Sequence, residues 1–127
     1  MKLSPLTLRR AATLWGLLRV GLGVTAVLAP KKSAAVWTGE VHPEEAGAVL
    51  GRALGGRDAS LGAGMVASAA GGHAMRPWIL AGGGADAMDA LATLAAWDHL
   101  PRGRRELVLV ASAGSALFAG ALAYLET

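Results

Sequence analysis

The chain has 127 residues, the length of one domain, with 54% hydrophobic and only 17% charged residues and a formal net charge of +3. So low a charge load departs from a soluble composition, and the lack of cysteine excludes disulfides, thiolate metal sites and cysteine nucleophiles. Basic residues gather at the ends of apolar runs (Lys2, Arg9 and Arg10; Lys31 and Lys32; Arg102, Arg104 and Arg105), which marks membrane flanks rather than a nucleic-acid face.

The first apolar run, Ala11 to Ala29, is long enough to span a bilayer. A basic start before an apolar core also describes a secretory signal, but Arg19 interrupts the run and Pro30 follows the best cleavage point, so an uncleaved helix is expected. Lys31 to His42 reads as a polar connection, with Trp37 as an interfacial anchor. Pro43, Glu44 and Glu45 then read as a helix start, because proline suits the first turn and acids complement the helix dipole.

The second run, Ala46 to Ala70, carries Arg52, Arg57 and Asp58. Its apolar tail after Asp58 is too short to span alone, so either the charges enter the membrane or the segment is re-entrant; a span is the favoured reading. Gly71 to Arg76 is a turn, and Pro77 restarts a helix that reaches Trp97. Trp78 and Trp97 stand 19 positions apart, about 28 Å along a helix, and read as the two interfacial belts of one span. Asp86 and Asp89 then straddle the midplane. Asp98 to Arg105 is a basic loop, and Glu106 to Leu125 is the fourth run, with a small-residue stripe at Ala111, Ser115, Ala119 and Ala123. The pattern predicts an all-α, four-transmembrane-helix bundle, one integral domain over 1–127 with helices at about 11–29, 46–70, 78–97 and 106–125, placed multi-pass in the plasma (inner) membrane. Lys and Arg are nearly balanced between the two sides, which leaves orientation open and admits dual insertion.

The informative residues are the intramembrane charges: Arg19, Arg52, Arg57, Asp58, Asp86 and Asp89. Six unpaired charges at mid-depth would cost on the order of 15–20 kcal/mol, more than the stability of a typical domain, so they must meet. Asp86 and Asp89 share a helix face with Gly82 and Thr93; Gly51, Gly55, Asp58 and Gly62 share another; Gly16 and Gly23 flank Arg19. Each charge thus lies in a small-residue stripe that lets helices approach. Such a cluster either staples the helices or forms a ligand or proton site. Without Arg52 the set is two positive and three negative, which makes one carboxylate a candidate to hold a proton.

Acids beside arginines make a poor cation site, the histidines read as surface residues, and Gly82 to Gly84 lacks the strand of a phosphate loop; no metal and no cofactor are expected. No catalytic constellation stands out, and whether the protein is an enzyme is left open. Three readings follow. The first is a ligand-binding or accessory membrane module, in the lipid bilayer as a homo-oligomer, taking a small polar or amphipathic ligand. The second is a small proton- or ion-coupled transporter or channel. The third is a membrane enzyme with an aspartic general acid acting on a lipid or isoprenoid substrate. None involves nucleic acid.

Three segments carry a family likeness: Arg-x-Gly-x-Gly leading to Ala-Pro over Arg19 to Pro30, Arg-x-Leu-Gly-x-Arg-Asp-x-x-Leu-Gly over Arg52 to Gly62, and Ala-Asp-x-x-Asp over Ala85 to Asp89. Over nearly the whole chain the pattern resembles a domain-of-unknown-function family of four-helix integral membrane proteins, common in actinobacteria and loosely DoxX-like. The resemblance implies four helices and a shared Arg/Asp core, and no activity.

Overall fold

The computed structural model describes residues 4–39 and 45–126. They form five α-helices and one 3-10 turn, with no strand among the described residues: α1 (Pro5–Leu28), α2 (Pro30–Thr38), α3 (Glu45–Ala70), α4 (Arg76–Ala95), the turn Trp97–His99, and α5 (Arg104–Leu125). The domain is all-α, as expected. Of these helices, α1 and α5 are long and apolar enough to cross a membrane.

Local chemistry sets the boundaries. Helix α1 starts before Ala11 because Ser4 caps it: its Oγ accepts the Thr7 N–H at 3.1 Å, with Pro5 opening the first turn. The supposed connection Lys31 to His42 contains a further helix. Pro30 starts α2, and Gly39 ends it in the left-handed conformation at φ 77°. Pro43, Glu44 and His42 lie outside the described residues. Helix α4 stops at Ala95, so Trp97 belongs to the following turn, where the Arg105 guanidinium lies 4.6 Å from its ring centre. Trp78 and Trp97 therefore do not bracket one helix; Trp78 packs instead on Gly64 of α3. At the head of α5 the Gly103 N–H donates to the Glu106 carboxylate, which reaches back from the third helical position to cap it.

Two tight antiparallel pairs build the bundle, α1 with α3 and α4 with α5, while α1 and α5 barely touch. The α1–α3 pair is a backbone contact. A Cβ at Gly55 would sit 2.6 Å from the Gly23 carbonyl oxygen, and one at Gly62 would strike the Gly16 carbonyl. The predicted stripes on these helices thus face each other, where only glycine fits. Likewise a Cβ at Gly83 would lie 2.6 Å from Ala119 of α5.

The two ends of the bundle differ. At the end that holds the termini, Leu8, Ala12, Met65, Met75, Ile79, Ala119, Leu122 and Ala123 close into an apolar core, with Trp15 above them. Arg9 donates to the Ala69 carbonyl at 2.9 Å and Arg76 to the Ala123 carbonyl at 3.3 Å, satisfying carbonyls left free at helix ends. At the other end α2 lies across α3 and touches α1 and α5, and Gly39 meets Pro101. Two cavities open toward that end, one beneath α2 and one between α1 and α5.

Candidate functional site

One turn beyond Trp15, at mid-height of all four long helices, the interior becomes ionic. Arg19 of α1 is 5% exposed. Its Nη1 donates to Asp86 Oδ2 of α4 and its Nη2 to Asp58 Oδ1 of α3, both at 2.7 Å. Arg57 of α3 forks onto Asp89 of α4, Nη1 to Oδ1 at 2.9 Å and Nη2 to Oδ2 at 2.7 Å, while its Nε reaches Asp58 Oδ1 at 3.2 Å. The result is one chain of charges, Asp86–Arg19–Asp58–Arg57–Asp89, with Asp58 shared by both arginines. Burying such charges unpaired is costly, and planar guanidinium forks on carboxylates recover much of that cost.

Five of the six charged residues singled out from sequence come together. Arg52 does not. It is exposed near the start of α3, beside Lys31, Lys32 and Glu45, more than a turn from Arg57. A long side chain at that height points to the surface instead of returning to the middle.

Neutral partners that the pattern did not reveal hold the charges. Ser115 Oγ donates to Asp86 Oδ2 at 2.6 Å and accepts the Trp15 indole N–H at 3.1 Å. The Arg19 guanidinium lies 5.2 Å from the Trp15 ring centre, and Phe118 meets that ring edge-on. Ser115 had read only as a small residue in a packing stripe; its hydroxyl, at mid-helix opposite the acids, was the available signal. Trp37, expected as an interfacial anchor, turns inward: its indole N–H donates to Thr93 Oγ1 at 3.0 Å, and Thr93 bonds back to the Asp89 carbonyl at 2.8 Å. Thr93 and Gly82 are both buried on the face of Asp86, as the helical spacing predicts.

Some bonding capacity is left over. Both hydrogen bonds to Asp86 converge on Oδ2, and both to Asp58 converge on Oδ1. Asp86 Oδ1 and Asp58 Oδ2 accept no hydrogen bond from the described residues, and the two side chains are 10% and 27% exposed. The Arg19 Nε, by contrast, is buried without a partner. Two arginines and three aspartates leave a formal charge of minus one.

Two cavities flank the network. One, of about 410 Å³, lies between α2 and α3 under Ala34, Leu50 and Leu54, and ends on Arg57, Asp58 and Asp89. The other, of about 470 Å³, lies between α1 and α5 and ends on Arg19, Asp58, Asp86 and Asp89. Trp37, Asp58 and Asp89 line both, so the Trp37 ring stands between them. Both volumes fall within the range of small-molecule sites, about 300–1,000 Å³. Among the described residues no three acids or histidines converge closely enough to hold a metal ion. Comparison with protein-family models, with curated proteins and with solved structures gave no match to this chain.

Proposed function

We propose that this chain is a four-span membrane module that binds a small amphipathic ligand beside its Arg/Asp network. The cavity that descends between α2 and α3 onto Arg57, Asp58 and Asp89 carries the reading: apolar walls ending on charged groups suit a molecule with a tail and a polar head.

Support for four spans comes from the inverted surface. The ionic residues lie inside, while Leu14 and Leu17 of α1, Met88, Leu91 and Leu94 of α4, and Val110 and Leu117 of α5 face outward. A water-soluble domain seldom exposes so much apolar surface, whereas a bilayer requires it. Helices α3 and α4 have 26 and 20 residues, about 39 and 30 Å, which suffices to span. Four of the charges that lower their hydropathy, Arg57, Asp58, Asp86 and Asp89, are paired within the bundle. In this reading α2 lies at the membrane face shared with the α4–α5 turn.

The carrier reading has one observation in its favour: Asp58 and Asp89 line both cavities, so one network could be reached from two sides.

Nitroxide labels at Gly56 of α3 and Gly84 of α4 test the embedding, because added side chains there meet no neighbour within 4 Å. In liposomes both labels should be accessible to oxygen and shielded from a water-soluble nickel complex, whichever way the protein is inserted. Nickel access at either position would overturn four spans. Filling the α2–α3 cavity with Ala34→Phe tests the ligand site, and should displace amphiphiles that protect the wild-type protein from thermal unfolding.

A further inference from the structure

The leftover bonding capacity of the network specifies the head group. We infer that the cavity between α1 and α5 is a site for an amphipathic cation of the alkylammonium class, its charged head on Asp58 and Asp86 and its tail along the apolar walls. This rests on the reading that the cavities beside the network bind ligand.

Unused groups decide the sign of the ligand. Both terminal nitrogens of Arg19 and of Arg57 are engaged by carboxylates. One N–H remains on each of those nitrogens, but Arg19 is only 5% exposed with its Nε buried, and Arg57 does not line this cavity, so neither guanidinium offers an incoming anion an open donor there. The acceptors without a hydrogen bond, Asp86 Oδ1 and Asp58 Oδ2, belong to two carboxylates that line the same cavity. Asp86 is only 7% exposed, so its free oxygen lacks the bulk water that would otherwise satisfy it. An anionic head would face these oxygens within a cluster that is already one charge negative. A protonated amine brings several N–H donors to two acceptors and returns the local charge to zero.

The walls fit the remainder of such a molecule. Leu18, Leu22, Val36, Leu107 and Val108 line the same cavity, and the Trp37 ring stands beside Asp58 and Asp89, where an aromatic face adds attraction for a cation. Arg57 takes both oxygens of Asp89, whereas Asp58 and Asp86 are each held through one oxygen only, which separates this limb from a fully closed set of salt bridges.

The full chain in phosphatidylcholine nanodiscs, titrated calorimetrically at neutral pH with n-octylammonium, n-octanol and n-octanoate, tests the inference, with empty nanodiscs removing membrane partition. Octylammonium should bind saturably and at least about tenfold tighter than octanol, with no saturable octanoate binding. Asp58→Asn should weaken octylammonium by about tenfold and leave octanol unchanged, whereas Arg52→Ala should change neither. The wild-type comparison needs no variant, so a poorly folded Asp58→Asn protein does not remove the test. Equal binding of octanol and octylammonium, or tighter octanoate, overturns the cationic head but leaves a ligand site. No saturable binding by any of the three overturns both this inference and the reading beneath it.

Discussion

Replacing Arg19 with leucine should be among the most damaging single changes in the protein, and the structure sets the size of the effect. Arg19 is 5% exposed and makes two bonds of 2.7 Å, to Asp58 and to Asp86. Their loss does not fall equally on the two acids. Asp58 keeps the Arg57 Nε at 3.2 Å, whereas Asp86, 7% exposed, keeps only the Ser115 hydroxyl. One buried carboxylate is therefore stranded, and the local charge goes from minus one to minus two. Removing one partner of a buried pair costs about 3–5 kcal/mol. The lost stacking of the guanidinium on Trp15 adds about 0.5–1 kcal/mol. Leucine recovers some packing, so the expected net loss is about 3–4 kcal/mol. Reversible unfolding by dodecyl sulfate in mixed micelles, followed by helical circular dichroism, measures it. The companion is Arg19→Leu with Asp86→Asn. If stranding is the cause, neutralising the stranded acid should restore about 1–3 kcal/mol relative to the sum of the single changes. A loss below about 1 kcal/mol, or additivity of the pair within about 0.5 kcal/mol, would refute the view that Arg19 balances a buried charge.

Four further outcomes follow from separate contacts. Gly62→Leu places a side chain against the Gly16 carbonyl of α1, and should cost at least about 1–3 kcal/mol in the same unfolding assay while weakening cross-linking between cysteines placed on α1 and α3; unchanged stability would contradict the close approach. Trp15→Phe keeps a ring under Arg19 but loses the indole N–H to Ser115, an expected loss of about 0.5–1.5 kcal/mol that Ser115→Ala should largely absorb in a double-mutant cycle. Trp37→Phe should leave global stability nearly unchanged yet speed hydrogen exchange in α2, because its bond to Thr93 ties that short helix to α4; unaltered α2 exchange would rule that tie out. Arg52→Ala should stay within about 0.5 kcal/mol of wild type, since that side chain is exposed and outside the network.

Helical periodicity and the cost of burying charge were enough to group Arg19, Arg57, Asp58, Asp86 and Asp89, because both act along single helices and need no knowledge of neighbours. The opposed glycines, Gly16 with Gly62 and Gly23 with Gly55, were legible as stripes for the same reason. Arg52 was grouped with the other charges although its shallower position left the surface open to it, an alternative that mid-helix residues lack. Helix α2 was missed although Pro30 and Gly39 form an ordinary start and stop; the lysines between them made the segment read as a connection. The inward turn of Trp37 depends on α2 lying across α3 and close to Thr93 of α4, a tertiary fact that no local pattern carries. The same holds for the Trp15–Ser115–Asp86 relay, whose members are separated by nearly the whole chain.

Whether the network is only a staple turns on its unused parts. A staple between helices needs each acid matched to a base and both carboxylate oxygens satisfied, because every leftover polar atom in a low-dielectric interior weakens the joint. The Arg57–Asp89 pair meets that standard, with two parallel bonds. The Arg19 limb does not: two acids share its arginine, each with bonds on one oxygen only, and both acids line a cavity. Stability alone would favour closing α1 onto α5, which would shut the cavity and bury Asp86 in full contact. Instead the helices separate at that height while the glycine contacts hold α1 fast to α3. One limb of the network is therefore built as a joint, and the other borders a cavity, which is the ground on which an occupant is proposed.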